Sequence, residues 1–315
     1  MVKRARDGGS PGEGAGAPAT GRAGPGGVAP VSVGSHPREY RENRYVYPVL
    51  SRRARGISIG INLNPDKVCN FDCIYCQVDR TTPPVIRDVD EALLRDELRG
   101  MLREAADGTL FERPEFRAVP ADQRVVRDIT FAGDGEPPSY PNFLGVVRDT
   151  LAIKAEAGLP DLKVILLTNA TLIDRPRVRE AMRLMDAANG EFWLKLDAGT
   201  AEYYKLVDRT TIPFDRVLRN IAGAARQRPV VLQSLFMRVR GEAPPQSEIE
   251  AFCGRVRDIL DAGGGIRLIQ VYTVARRPAE SWVTPLADRE VDALAATVRT
   301  RLPVPVEAFY SGSDS

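Results

Sequence analysis

An α/β fold with a parallel sheet is what this chain predicts, and three observations carry the prediction. From residue 56 onward, six short runs of strand-forming residues recur. Each is followed by a stretch whose apolar residues fall three and four apart, the spacing of one helix face. Several of the runs are apolar throughout, as expected of strands covered on both faces. Strand–helix alternation of this kind makes right-handed βαβ units, which set neighbouring strands parallel. Periodicity does not say whether the sheet is flat or curled.

The first run, Gly56-Ile57-Ser58-Ile59-Gly60-Ile61-Asn62-Leu63, alternates with a period of two. Leu94, Leu98, Met101 and Leu102 then mark a helix at i, i+4, i+7 and i+8. Further strands are expected at 128–132, 163–167, 191–196, 230–236 and 267–272. The second helix spans about 143–157, and the third has Val178, Ala181, Met182 and Met185 on one face. Phe214, Val217, Leu218 and Ile221 stripe the fourth. Ile249, Phe252, Cys253 and Val256 mark the fifth, and Val291, Leu294, Ala295 and Val298 the last.

Residues 1–34 hold ten of the 27 glycines and are expected to be disordered, since they cannot bury enough apolar surface to offset their ordering entropy. Residues 35–55, with Tyr40, Tyr45 and Tyr47, read as an extension folded against the main unit at 56–303, and 304–315 as a C-terminal tail. The run Arg52-Arg53-Ala54-Arg55 is expected on a solvated face.

Composition narrows the function. The chain has 315 residues, 43% of them hydrophobic, which is ample for a sizeable core. Its net charge of +2 makes no case for nucleic acid, and no apolar run approaches a membrane span. Met1-Val2-Lys3-Arg4-Ala5-Arg6 is basic, but no apolar segment follows it, so it does not read as a secretory signal. His36 is the only histidine and sits at the edge of the Gly-rich tail, which leaves Ser/His/Asp or Cys/His catalysis little to stand on.

The four cysteines are clustered rather than dispersed, a pattern of metal binding in a reducing compartment, and the expected location is the cytoplasm. Cys69, Cys73 and Cys76 fall within Cys69-Asn70-Phe71-Asp72-Cys73-Ile74-Tyr75-Cys76, spaced C-x3-C-x2-C. Three thiolates are one ligand short of a closed zinc site or a four-cysteine iron–sulfur site. Cys253 lies among apolar residues of its helix and reads as core. Three further segments stand at expected strand ends: Gly133-Asp134-Gly135-Glu136-Pro137, Thr168-Asn169-Ala170-Thr171-Leu172 and Lys195-Leu196-Asp197-Ala198-Gly199-Thr200. By residue type alone, Glu136 equally faces solvent, Asn169 and Asp197 equally cap a turn or helix, and Tyr75 equally packs its loop.

Taken in order, these four segments resemble the radical S-adenosylmethionine (radical SAM) superfamily over roughly residues 56–280. The resemblance implies a (β/α)6 partial barrel, and six units are counted here. It implies that Cys69, Cys73 and Cys76 bind a [4Fe–4S] cluster whose fourth iron is left for S-adenosylmethionine. Tyr75 would then lie beside the adenine. The stretch Gly133, Gly135, Glu136 and Pro137, with Asp134 in place of the first of the family's paired glycines, would follow the methionine part. Asn169 belongs to a segment like the family's Thr-Asn-Gly-Thr-Leu, with Ala170 in place of glycine, and Asp197 would accept the ribose hydroxyls. Lys195 shares that strand and suits a substrate acid; Gln233, Tyr272 and Arg276 complete the expected pocket.

Leu50-Ser51-Arg52-Arg53, Gly60-Ile61-Asn62-Leu63 and Cys76-Gln77-Val78 resemble a prokaryotic group loosely related to wyosine-type tRNA-modifying enzymes. A tRNA base is therefore a competing substrate beside a small molecule or peptide. Against it, wyosine-forming relatives use a second cluster, and Cys253 is the only cysteine outside the loop. A low-potential donor of flavodoxin or ferredoxin type is the expected partner. A non-catalytic zinc or iron–sulfur module is the alternative of another class.

Overall fold

In the computed structural model of the protein, residues 31–32 and 40–311 are described. Most of the Gly-rich segment 1–34, His36 and residues 312–315 lie outside them. A hairpin of β1 (Val46–Ser51) and β2 (Gly56–Ile61) leads into α1 (Glu91–Asp107), β3 (Val126–Phe131), α2 (Phe143–Glu156), β4 (Lys163–Thr168) and α3 (Pro176–Asp186). Next come β5 (Gly190–Lys195), α4 (Ala201–Asp208), α5 (Phe214–Gln227), β6 (Val230–Leu235) and the two-residue β7 (Arg238–Val239). The chain closes with α6 (Gln246–Asp261), β8 (Ile266–Tyr272), the two-residue β9 (Val283–Thr284), α7 (Asp288–Arg301) and β10 (Val306–Phe309).

Eight strands form one sheet in the order β1-β2-β3-β4-β5-β6-β8-β10. β1 runs antiparallel to β2, and every other neighbouring pair is parallel. β7 and β9 make a separate antiparallel ladder. Strand follows strand in one direction, whereas a doubly wound sheet reverses its order part-way. Tyr47 of β1 and Phe309 of β10, on the two edge strands, line the same cavity. In a flat sheet, strands about 4.8 Å apart would hold those edges roughly 30 Å from each other. The sheet is therefore curled into a partial barrel, its concave face inward.

The six expected strands appear as β2, β3, β4, β5, β6 and β8, each end within two residues of its predicted position. All six residues of β2 and of β6 are buried, as strands covered on both faces require. Two more strands lengthen the sheet. β1 contains Pro48, which removes an N–H and suits only an edge strand, and β10 is four residues long, so neither stood out by pattern. Glu97 of α1 fastens β1 in place, accepting from the main-chain N–H groups of Arg44, Tyr45 and Val46 at 2.7, 2.9 and 3.0 Å.

The helices cover the convex face. Asp90 caps α1 by accepting from the N–H groups of Ala92 and Leu93, and Gly108, at φ +81°, ends it. The predicted stripes of α1 and α3 are buried, as is Cys253 of α6, within one core that includes Phe131, Phe143, Phe192 and Phe252. Each such side chain contributes about 1.5–3 kcal/mol when fully buried. Among the described residues no helix is long and apolar enough to cross a membrane.

The end of the sheet where the parallel strands begin is closed by paired charges. Asp128 accepts from Ser58 and Thr130 hydroxyls at 3.0 and 2.6 Å, and burial pushes its pKa up to about 6. Glu191 accepts from Lys163, Arg267 and the Trp193 indole at 2.6, 2.9 and 3.1 Å.

Candidate active site

Where the parallel strands end, the concave face encloses a cavity of about 290 Å³. Cys69, Cys73 and Cys76 line it, all three partly buried. Their loop follows β2 and is held by residues far along the chain. The Asp72 and Ile74 N–H groups donate to the carbonyls of Asp208 and Val207, at the end of α4, at 3.2 and 2.9 Å. Arg209 donates to the Asp72 carbonyl at 2.7 Å and pairs with Glu280, whose own N–H donates to the Ile74 carbonyl at 3.2 Å. Phe71 packs edge-on against Tyr204 of α4, with ring centroids 5.9 Å apart.

Asn70 joins this loop to the end of β4. Its side chain donates to Thr171 and accepts from Asn169, each at 2.7 Å, and the Asn169 carbonyl oxygen accepts from the N–H and hydroxyl of Thr171. Ala170, between them, has φ +63°, the left-handed region that favours glycine. Its presence there accounts for the glycine in the segment it resembles.

Asp134 and Asn62 interlock the ends of β3 and β2, with the Asn62 amide donating to Asp134 at 2.8 Å. A Cβ at Gly133 would collide with the Asn62 side chain, and one at Gly135 with the Val68 carbonyl and Asn64. These glycines therefore serve close packing against the cysteine loop. Glu136 is buried and faces the cavity, its carboxylate accepting from the Thr168 hydroxyl and from the Asn169 N–H at 2.9 Å. Burial raises its pKa to about 7 against those donors. Pro137 begins the short helical turn Pro137–Ser139 behind it and does not line the cavity.

A second buried network lies beneath the loop. Tyr75 donates its hydroxyl to Asp197 and approaches Asp208 at 3.2 Å, while Asp197 also accepts from the Leu235 N–H at 2.7 Å. Asp197 is thus engaged by the protein itself and stands outside the cavity lining. The Cys73 thiol donates to Asp208 at 3.4 Å. Lys195 Nζ lies 3.7 Å from Asp197 and 4.6 Å from the centre of the Tyr75 ring. Burial pushes the Lys195 pKa down, but Tyr272, Asp197, Cys73 and Asp208 outweigh it and hold the ammonium above the usual lysine value.

The site residues expected from sequence thus separate. Cys69, Cys73, Cys76, Tyr75, Gly133, Gly135, Glu136 and Asn169 meet in the cavity wall, with Lys195, Gln233, Tyr272 and Arg276, while Pro137 and Asp197 stand behind it. Arg80 was not foreseen: it donates to Cys76 Sγ at 3.6 Å, to the Asp134 carbonyl at 3.3 Å and to the Lys67 carbonyl. No periodicity points to it, although it lies one turn's length after Cys76. Asp208 sits on a helix too short to show a stripe. Arg52 and Arg53, expected on a solvated face, line the cavity instead, because the hairpin they belong to presents them to the concave side.

Three thiols on one loop at the cavity wall are the donor type of an iron–sulfur cube, which takes one thiolate on each of separate irons. The sequence profile described as the Radical SAM superfamily matches residues 63–243.

The chain belongs to the radical SAM superfamily. Membership implies S-adenosylmethionine and an iron–sulfur cluster. Among curated proteins, this radical SAM chain is 27% identical over 175 residues to the UPF0026 protein of Helicobacter pylori, covering 55% of this chain and 48% of that one. It spans between 23% and 48% of the length of the curated relatives it matches. Among solved structures it is similar to TYW1 with a lysine-pyruvate adduct bound, at TM-score 0.55 and 12% identity, over 83% of this chain and 85% of that one. SuiB of Streptococcus suis, bound to S-adenosylmethionine, is similar at TM-score 0.52 and 13% identity, over 81% and 51%. At such identities these two likenesses speak for the fold alone.

Proposed function

We propose that Cys69, Cys73 and Cys76 hold a [4Fe–4S] cluster, that S-adenosylmethionine binds beside it in the same cavity, and that a substrate occupies the remaining space. When bound, cluster and S-adenosylmethionine together supply a 5′-deoxyadenosyl radical that takes a hydrogen atom from that substrate. The observation that carries this reading is the meeting of three partly buried thiols on one cavity where the parallel strands end.

The remaining roles belong to the chain's own groups. Arg80 directs a guanidinium N–H at Cys76 and ties the loop to Asp134, so it both orients that ligand and offsets thiolate charge. Glu136, fixed by Thr168 and Asn169, presents a carboxylate to a cationic neighbour such as the ammonium or sulfonium of S-adenosylmethionine. The Tyr75 ring forms part of the wall, oriented by its hydroxyl's bond to Asp197.

The TYW1 neighbour is described with a lysine-pyruvate adduct. Lys195 is the one lysine lining the cavity among the described residues, and its acidic neighbours hold it protonated. We read it as a fixed cation for an anionic group, not as the neutral amine that an adduct needs. A low-potential flavodoxin- or ferredoxin-type donor and a cytoplasmic setting belong to the same proposal.

The test is anaerobic. Reconstituted protein should carry about four irons and four sulfides per chain, and with dithionite and S-adenosylmethionine it should release 5′-deoxyadenosine. Adding low-molecular-weight cell extract or bulk tRNA in parallel shows which substrate class accelerates release. A verified cluster that yields none under any of these conditions overturns the catalytic reading.

A further inference from the structure

We propose that Arg52 and Arg53 form an oxyanion subsite that holds a carboxylate or phosphate group of the substrate. The inference rests on the reading of the cavity as the substrate chamber and adds the chemical class of what fills it.

The two arginines sit on the turn between β1 and β2. That turn is fixed by the Arg55 N–H donating to the Ser51 carbonyl at 2.9 Å and the Ala54 N–H to the Ser51 hydroxyl at 3.1 Å. Both Arg52 and Arg53 line the cavity, whereas Arg55 on the same turn is exposed. The cysteine loop leaves β2 at its other end. One chamber therefore has cluster ligands and paired guanidinium groups on elements that meet β2 from opposite ends.

The two arginines, both partly buried, differ from the other charges of the site in what they lack. Among the described residues no carboxylate pairs with either. Arg52 Nη1 is shut off from solvent and has no hydrogen-bond partner. Burial pushes the Arg52 pKa down, and the adjacent Arg53 adds to that effect. Arg53 is held by aromatic faces, its guanidinium carbon 5.1 Å from the Tyr272 ring centre and 5.6 Å from that of Trp193. Arg53 also hydrogen-bonds the Tyr272 hydroxyl, and a guanidinium held against rings by one of its five N–H donors has others left for an oxyanion. A guanidinium N–H withdrawn from water without an acceptor is costly, and a bound carboxylate or phosphate removes that cost. Lys195 lines the same chamber, but Asp197 already occupies it.

Calorimetric titration of full-chain, cluster-reconstituted protein with inorganic phosphate, with malonate, and with sodium chloride at matched ionic strength tests this. Saturable binding of phosphate or malonate is expected, weakened at least about tenfold in Arg52→Gln and in Arg53→Gln, since a hydrogen bond to a charged group contributes about 1.5–3 kcal/mol. Arg52→Lys should retain part of the affinity, and Arg55→Gln all of it. A preference for phosphate points to a phosphorylated substrate and one for malonate to a carboxylic acid. Failure of either anion to saturate the wild type, or equal affinity in Arg52→Gln, overturns the proposal. Failure of the radical SAM reading shows separately, as a verified cluster that releases no 5′-deoxyadenosine.

Discussion

The two ends of the parallel sheet both bury polar groups and use them differently. Where the strands begin, Glu191 meets Lys163 and Arg267, and Asp128 meets two hydroxyls, so each acid has partners within its own layer. Where they end, Glu136, Asp197 and Asp208 crowd three thiols, and their donors are largely main-chain N–H groups, hydroxyls and a thiol. The first arrangement satisfies itself. The second leaves the cysteines, Glu136 and Asn169 facing a cavity, which is how a site looks before its ligands are counted. In parallel α/β barrels that division is general: stability at one end, chemistry at the other.

The largest break in this comparison should come from Cys69→Ala, Cys73→Ala or Cys76→Ala. Each is expected to lose the cluster and with it 5′-deoxyadenosine formation, whereas Cys253→Ala, in the core of α6, should keep its iron; iron and sulfide analysis of the four variants checks this. Next, Glu191→Ala at the opposite end should lower unfolding stability by about 1–2 kcal/mol, because its cationic partners are half exposed and screened, while iron content stays unchanged.

Asp128 sharpens the contrast through pH. Its pKa rises from 3.8 to about 6 on folding, so the folded state binds the proton more tightly. Relative to Asp128→Asn, the wild type should therefore be most stable below about pH 4 and lose that advantage as pH rises through 6. Denaturant midpoints for both proteins across this window are the measurement, and parallel curves would refute the assignment. The smallest effect is expected from Ala170→Gly, which relieves a left-handed φ at the turn gripping Asn70 and should raise stability by up to about 1 kcal/mol.

Much of this was legible because the informative signals are short-range. An apolar run such as Val230–Leu235 must be covered on both faces, and a C-x3-C-x2-C loop has few uses. The strands that escaped notice lack that local contrast: β1 is interrupted by Pro48, and β10 has four residues. Within the site, what could not be read is whatever depends on a partner distant in sequence. Asp197 has the residue type for a ribose contact, but that it accepts from the buried Tyr75 hydroxyl, 122 positions away, is invisible in the sequence. That Gly133 and Gly135 also make room for Asn62, Asn64 and Val68 depends on partners more than sixty positions away. A run of arginines reads as surface until a hairpin presents two of them to the inside.

The clamp on the cysteine loop has a consequence for how the protein is made. Asp72 and Ile74 bond to the end of α4, and Ile74 also to Glu280, so the loop's surroundings do not exist until those residues have left the ribosome. A cluster carrier meeting the nascent chain earlier would find three thiols on an unfastened loop, open to oxidation and stray metals. On the proposed reading, the loop is ready to take iron and sulfide only once the chain through Glu280 has folded around it.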